Sequence, residues 1–210
     1  MQTEYAVAEP ALVAILRGVE PARVVRIADV VCAAGIRVIE VPLNSPDPFT
    51  SIAALVQARG HDCLVGAGTV LDTEAVRRTH AVGGGLIVTP NCDPEVIRAA
   101  LQLDLQVLPG IATATEAFSA IRAGAKRLKL FPARTYGPRH LHALRTVLPR
   151  DVEVLAVGGI GAADIPAWLS AGAAGFGFGS ELFRPEYALA EIERRAQQLV
   201  QALRAARSGR

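Results

Sequence analysis

Only two lysines occur in the chain, Lys126 and Lys129, and both fall in the segment Ala125-Lys126-Arg127-Leu128-Lys129-Leu130-Phe131-Pro132. Every other long basic side chain among the 22 Lys+Arg residues is arginine. Lysine can lose its proton and act as an amine nucleophile, whereas a guanidinium stays protonated. A lysine kept inside an apolar segment of an arginine-rich chain points to work that arginine cannot do. The plain alternative is two ordinary lysines.

Strand alternation orients the candidate groups. In the run Ile36–Val41, Ile36, Val38 and Glu40 face one way and Arg37, Ile39 and Val41 the other. Lys129 faces opposite to Leu128 and Leu130. If those leucines pack against outer helices, Lys129 and Glu40 both point inward. Lys126 lies three residues earlier, on the opposite facing and about 10 Å towards the other end. It is expected at the rim or surface. A core ion pair is the bland reading of Lys129 and Glu40, but buried ion pairs are costly unless well satisfied. Arg17 and Thr69, expected on the same rim, favour a functional site.

Eight short apolar runs must position these groups: Leu12–Leu16, Ile36–Val41, Cys63–Ala67, Leu86–Thr89, Leu105–Leu108, Arg127–Phe131, Val152–Val157 and Ala174–Phe178. Helical periodicity fills the intervals, as where Val24, Ile27, Ala28, Val31 and Cys32 share a face. Eight strand–helix units predict an α/β fold, a single (β/α)8 barrel spanning 1–210 with no linker. A doubly wound open sheet is the alternative, but it leaves the polar strand ends without a common meeting place. Ala34-Gly35, Ala123-Gly124 and Ala171-Gly172 read as helix ends. Pro10, Pro94 and Pro138 read as lying near helix starts.

The residues closing the runs are polar or glycine-rich: Arg17-Gly18, Gly66-Ala67-Gly68-Thr69, Thr89-Pro90-Asn91, Pro109-Gly110, Gly158-Gly159 and Gly179-Ser180. In a barrel they share the face that carries active sites. Glycines after the seventh and eighth runs let backbone N–H groups approach an anion, and those loops are the usual phosphate site of such barrels. Tight turns alone are the alternative.

Composition excludes other classes. A 51% hydrophobic and 20% charged content is that of a globular protein. A net charge of +2, without a long basic run and with few aromatics, gives no reason to expect nucleic acid. No signal peptide or membrane span is expected. Cys32, Cys63 and Cys92 form no CxxC, so a disulfide framework is not expected and a reducing cytoplasm fits. The four histidines, His61, His80, His140 and His142, suggest no metal site.

Taken in order, Glu40-Val41, Gly66-Ala67-Gly68-Thr69, Thr89-Pro90-Asn91, Pro109-Gly110, Leu128-Lys129-Leu130-Phe131-Pro132, Gly158-Gly159 and Gly179-Ser180 span nearly the whole chain. Each is weak alone, but together they resemble the class I aldolases that cleave 2-keto-3-deoxy-6-phosphosugars into pyruvate and glyceraldehyde 3-phosphate. The chain looks more like the galactonate branch than the gluconate branch. The stretch Val41-Pro42-Leu43-Asn44-Ser45-Pro46 lacks the arginine of the gluconate enzymes, and Arg17 stands in its place. Val157 occupies the position where the gluconate enzymes typically carry threonine. Glu181, where aspartate is expected, is a departure.

The resemblance implies that Lys129 forms a Schiff base with the C2 ketone and that Glu40 moves protons. Arg17 and Thr69 would bind the C1 carboxylate, with Pro90 and Phe131 as walls against the pyruvyl part. Val157 would lie near C4. Gly158, Gly159, Gly179 and Ser180 would hold the phosphate. It also implies a cytoplasmic homotrimer acting on 2-dehydro-3-deoxy-6-phosphogalactonate without cofactor or metal, the iminium supplying the electrophilic charge. Alternatives are the gluconate epimer or 4-hydroxy-2-oxoglutarate as main substrate, another phosphosugar-binding barrel enzyme, or a non-catalytic phosphosugar-binding module.

Overall fold

Pro109 decides the strand count. In the computed structural model, which describes residues 11–208, the eight runs become nine parallel strands of one sheet. They are β1 (Ala11–Ile15), β2 (Val38–Pro42), β3 (Leu64–Gly68), β4 (Leu86–Val88), β5 (Gln106–Leu108), β6 (Gly110–Ile111), β7 (Arg127–Leu130), β8 (Glu153–Val157) and β9 (Gly175–Phe178). Proline has no N–H to give to a ladder. The segment therefore divides at Pro109, β5 pairing with β4 and β6 with β7. The eight expected runs thus appear as nine strands, because one of them is split at Pro109.

The sheet order is β5-β4-β3-β2-β1-β9-β8-β7-β6, so its two ends are the pieces that Pro109 joins. Thr89 closes the seam: its N donates to Leu108 O at 3.2 Å, and its Oγ1 accepts from Gly110 N at 3.2 Å. Lys129 N donates to Pro109 O at 2.8 Å. The result is a nearly closed α/β barrel, and the open-sheet alternative is set aside.

Eight α-helices of the described residues surround the sheet: α1 (Pro21–Ala34), α2 (Pro48–Arg59), α3 (Thr73–Ala81), α4 (Pro94–Gln102), α5 (Ala114–Arg122), α6 (Ala133–Arg145), α7 (Ile165–Ser170) and α8 (Leu189–Ser208). Pro21, Pro48 and Pro94 open their helices, where the missing N–H has no intrahelical partner to lose. Pro138 begins the second part of α6, after a break at Gly137. Pro10 lies outside the described residues, and the element after it is β1. Gly35 ends α1 in the left-handed conformation, φ 110°, as expected for a glycine past a helix. No helix among the described residues is long and apolar enough to cross a membrane.

Two apolar cores result. The outer one, between sheet and helices, holds Ile39, Val41, Leu128 and Leu130. The inner one fills the barrel with Val13, Ile15, Val38, Leu64, Leu86, Val88, Leu108, Leu155 and Val157. Ile36 joins the outer core, contrary to the alternation drawn through it. Strand β2 begins only at Val38, so the two-residue period does not extend back to Ile36. Arg127 Nε donates to Glu153 Oε2 at 2.5 Å and its Nη1 to Gln106 Oε1 at 3.2 Å, all at strand starts. Arg127 and Gln106 line one side of a cavity of about 20 Å³ among the inner apolar residues.

Cys32 and Cys63 are free thiols whose sulfurs lie 2.7 Å apart in the buried seam between α1 and the start of β3. Their 31-residue separation gave no hint of that contact.

Candidate active site

Strand β7 delivers Lys129. Its neighbours Leu128 and Leu130 are fully buried in the outer core, which turns the Lys129 side chain inward. There it is 5% exposed, and its Nζ lies 4.7 Å from the centre of the Phe131 ring. Lys126 stays outside at the other end, paired with Asp151 at 3.0 Å and largely exposed.

Strand β2 delivers Glu40, which is 2% exposed. In register it sits beside Ile15 of β1 and Gly66 of β3. A Cβ on Gly68 would lie 1.2 Å from Glu40 Oε2, so only glycine there leaves the carboxylate its room. Oε2 has no hydrogen-bond partner among the described residues. Among the described ion pairs none joins Glu40 to Lys129, so the static core pair is not what the barrel contains.

The electrostatics push both groups towards neutrality. Burial lifts the Glu40 carboxyl to about 7, against the opposing pull of Lys129 and Arg17. Burial lowers the Lys129 ammonium below its ordinary value; Glu40 opposes this and Arg17 adds to it. A poorly hydrated site disfavours each charged form.

Arg17, just past β1, lies over the mouth. Its Nη1 donates to Asn44 Oδ1 at 2.5 Å and its Nη2 to Thr69 Oγ1 at 3.3 Å. Thr69 adopts a left-handed φ of 57° immediately after β3. Gly18 N donates to Ser45 Oγ at 2.9 Å, and Leu43 N to Gly68 O at 2.8 Å. The loop after β2 is thereby tied to the ends of β1 and β3. Nothing in the sequence marks Asn44 and Ser45 as site residues, although both lie in the stretch 41–46 that lacks an arginine. Gly68 was read as part of a motif, without its steric duty.

The remaining candidates line the rim. Phe131 is half-buried and packs on the inner core. A Cβ on Gly158 would meet its ring at 3.1 Å. Pro90 is half-buried, and its carbonyl carbon would lie 2.4 Å from a Cβ on Gly110. Val157 is 3% exposed, its methyls against Gly177. Gly158 and Gly159 have φ of 102° and 73°. Gly179 faces open space and Ser180 is exposed. Glu181 Oε2 would lie 3.4 Å from a Cβ on Gly161, so the loops after β8 and β9 adjoin. No cluster of three or more His, Cys, Asp or Glu suited to a metal occurs among the described residues.

Known proteins are similar to this chain in sequence and fold. The family model for KDPG and KHG aldolase matches residues 4–198. The chain is 47% identical over 196 residues to 2-dehydro-3-deoxy-6-phosphogalactonate aldolase of Escherichia coli (strain K12), covering 93% of this chain and 94% of the relative. A solved structure described as native KDPGal superposes with a TM-score of 0.93 at 44% identity, over 99% of this chain and 98% of that one. KDPG aldolase from Legionella pneumophila, with pyruvate captured as a covalent carbinolamine intermediate, superposes with a TM-score of 0.80 at 25% identity, over 96% of each chain.

Proposed function

Because this chain belongs to the KDPG and KHG aldolase family, we propose that it cleaves 2-dehydro-3-deoxy-6-phosphogalactonate to pyruvate and glyceraldehyde 3-phosphate through a Schiff base on Lys129. It is a class I aldolase. The observation that carries the reading is Lys129 itself. It is a buried amine on the inward face of β7, with a depressed pKa, no ion-pair partner among the described residues, and Glu40 in electrostatic reach.

Neutral Lys129 adds to the C2 ketone, and loss of water gives a protonated imine. Glu40 takes the proton of the C4 hydroxyl. The C3–C4 bond breaks, its electrons pass into the iminium, and the aldehyde leaves. Glu40 then protonates the enamine at C3, and water hydrolyses the imine to free pyruvate and Lys129. A carboxyl titrating at about 7 suits both proton steps, because general acid–base efficiency is greatest near the working pH. Arg17 and Thr69 bind the C1 carboxylate, while Pro90 and Phe131 wall the pyruvyl part. Gly158, Gly159, Gly179 and Ser180 take the phosphate, and Val157 lies near C4.

On the same reading β5 and β6 are two halves of one strand, so the described residues form a single (β/α)8 domain. The enzyme is a cytoplasmic homotrimer, checked by light scattering in solution.

A coupled pyruvate-release assay with both C4 epimers tests the substrate. Faster turnover of the gluconate epimer, or of 4-hydroxy-2-oxoglutarate, would overturn the galactonate assignment. Borohydride with pyruvate tests the chemistry: the adduct forms on Lys129 and is absent from Lys129→Arg. An adduct on Lys126, or none, rejects it.

A further inference from the structure

We propose that Arg134 is a positioning residue for the phosphate loop after β8. It holds the Gly158 and Gly159 carbonyls against α6, so that the opposite edge of the loop presents its N–H groups to the substrate phosphate. The proposal rests on the phosphate assignment above and adds a residue to it.

Arg134 lies in the first turn of α6, two residues after Pro132. Its backbone N donates to Gly158 O at 3.0 Å. Its side-chain Nε donates to Gly159 O at 2.5 Å. The stem lies flat on the loop, for a Cβ on Gly159 would meet Arg134 Cβ at 3.0 Å and Cδ at 3.1 Å. Both carbonyls of the double glycine are thus drawn to one residue.

Peptide geometry then orients the donors. The bonds after Gly158 and Gly159 are not cis. In a trans peptide the C=O and the following N–H point in opposite directions. Carbonyls directed at Arg134 therefore turn the N–H groups of Gly159 and Ile160 away from it. Neither N–H has an acceptor among the described residues. Orphaned backbone donors beside a glycine turn are an anion cradle awaiting its oxygen atoms.

The other groups beside the loop leave this task to Arg134. Glu181 borders the loop at Gly161. Arg134 has no carboxylate partner among the described ion pairs, and it touches the loop directly. Arg195, which reaches Glu181 O at 3.1 Å, is engaged with Glu191 at 2.6 Å.

Two variants whose side chains reach about as far as the Arg134 Nε test the assignment. Gln places its amide nitrogen as many bonds from Cβ as Arg places Nε, so Arg134→Gln keeps the donor without the charge. Arg134→Met keeps the stem without the donor. Arg134→Met is expected to raise KM for the phosphorylated substrate about tenfold and to weaken competitive inhibition by inorganic phosphate to the same degree. Its kcat and its borohydride trapping with pyruvate stay within about twofold of wild type. Arg134→Gln is expected to retain most of the wild-type KM. Equal KM rises in both variants would assign the effect to charge and overturn positioning. Unchanged KM in both, with Ser180→Ala still raising it, overturns the role of Arg134 and leaves the phosphate site standing. Unchanged KM in all three overturns the phosphate assignment as well.

Discussion

Glu40 and Gly68 share one volume: a Cβ at position 68 would sit 1.2 Å from the Glu40 Oε2 atom. The carboxylate owes its place to a missing side chain on the next strand. Gly68→Ala must therefore push Glu40 aside, since β2 and β3 are paired residue by residue from Val38 opposite Leu64 to Pro42 opposite Gly68. A displacement on the order of 1 Å costs about 10²-fold in a positioned reaction. We expect kcat for cleavage to fall by about that factor, with the Lys129 adduct to pyruvate still forming. Wild-type kcat in Gly68→Ala would remove Glu40 from the proton steps.

The same carboxylate loads the fold with a pH-dependent penalty. Burial raises the Glu40 pKa from 4.5 to about 7. Below 4.5 both folded and unfolded chains hold this proton, so nothing is lost. Between 4.5 and about 7 the folded chain keeps a proton that the unfolded chain has released, so stability falls as pH rises. Above that window the full penalty applies, about 3 kcal/mol at 1.36 kcal/mol per pH unit. Lys129 acts in the opposite sense below its ordinary value of 10.5, where the folded chain binds less of its proton. Comparing Glu40→Gln with wild type isolates the carboxylate. We expect the Tm advantage of Glu40→Gln to grow from pH 5 to pH 8 while kcat collapses. A constant Tm difference across that range would show that Glu40 is not buried as described. For wild type we expect kcat/KM to rise with pH through about 7, where Glu40 as the proposed base would lose its proton; a flat profile would argue against that role.

Alternation carried the sequence reading furthest. Leu128 and Leu130 against the outer core left Lys129 no direction but inward, and the Val38–Glu40 period placed its partner. Both inferences need only local backbone geometry. Extending the period to Ile36 failed because a strand's start is set by its neighbours' hydrogen bonds. The division at Pro109 was hidden for a similar reason: the missing N–H matters only once β4 and β7 lie on either side. Asn44 and the Cys32–Cys63 contact depend on side chains from different loops meeting in space, which spacing along one chain does not encode. Arg134 was hidden among 20 arginines until its carbonyl partners were placed.

Asn44 has a measurable job through Arg17. Its Oδ1 accepts from Nη1 at 2.5 Å, the shorter of the two contacts that hold the guanidinium over the mouth. Loss of that acceptor in Asn44→Ala leaves Thr69, at 3.3 Å, as the remaining anchor. A hydrogen bond to a charged group contributes roughly 1.5–3 kcal/mol, part of which Arg17 recovers from water. We expect KM for substrate to rise about five- to tenfold, with kcat much less affected. A fall in kcat at constant KM would instead place Arg17 in the chemical steps.

Val157 offers the sharpest test of substrate choice. It ends β8 with its methyls on Gly177 of β9, next to the double glycine, and it is 3% exposed. On the proposed placement of Val157 near C4, an apolar group there would give no hydrogen bond to a sugar hydroxyl and would favour the epimer whose C4 hydroxyl points elsewhere. Threonine has nearly the same volume, and its hydroxyl would be left unsatisfied by the galactonate epimer but usable by the gluconate epimer. A buried hydroxyl gaining or lacking its partner is worth about 1–3 kcal/mol. Val157→Thr should therefore shift the ratio of kcat/KM between the two epimers towards gluconate by about tenfold or more. The measurement is the coupled assay run on both epimers with each protein. A ratio that stays fixed while both rates fall would mean that position 157 packs the barrel and does not read the C4 hydroxyl.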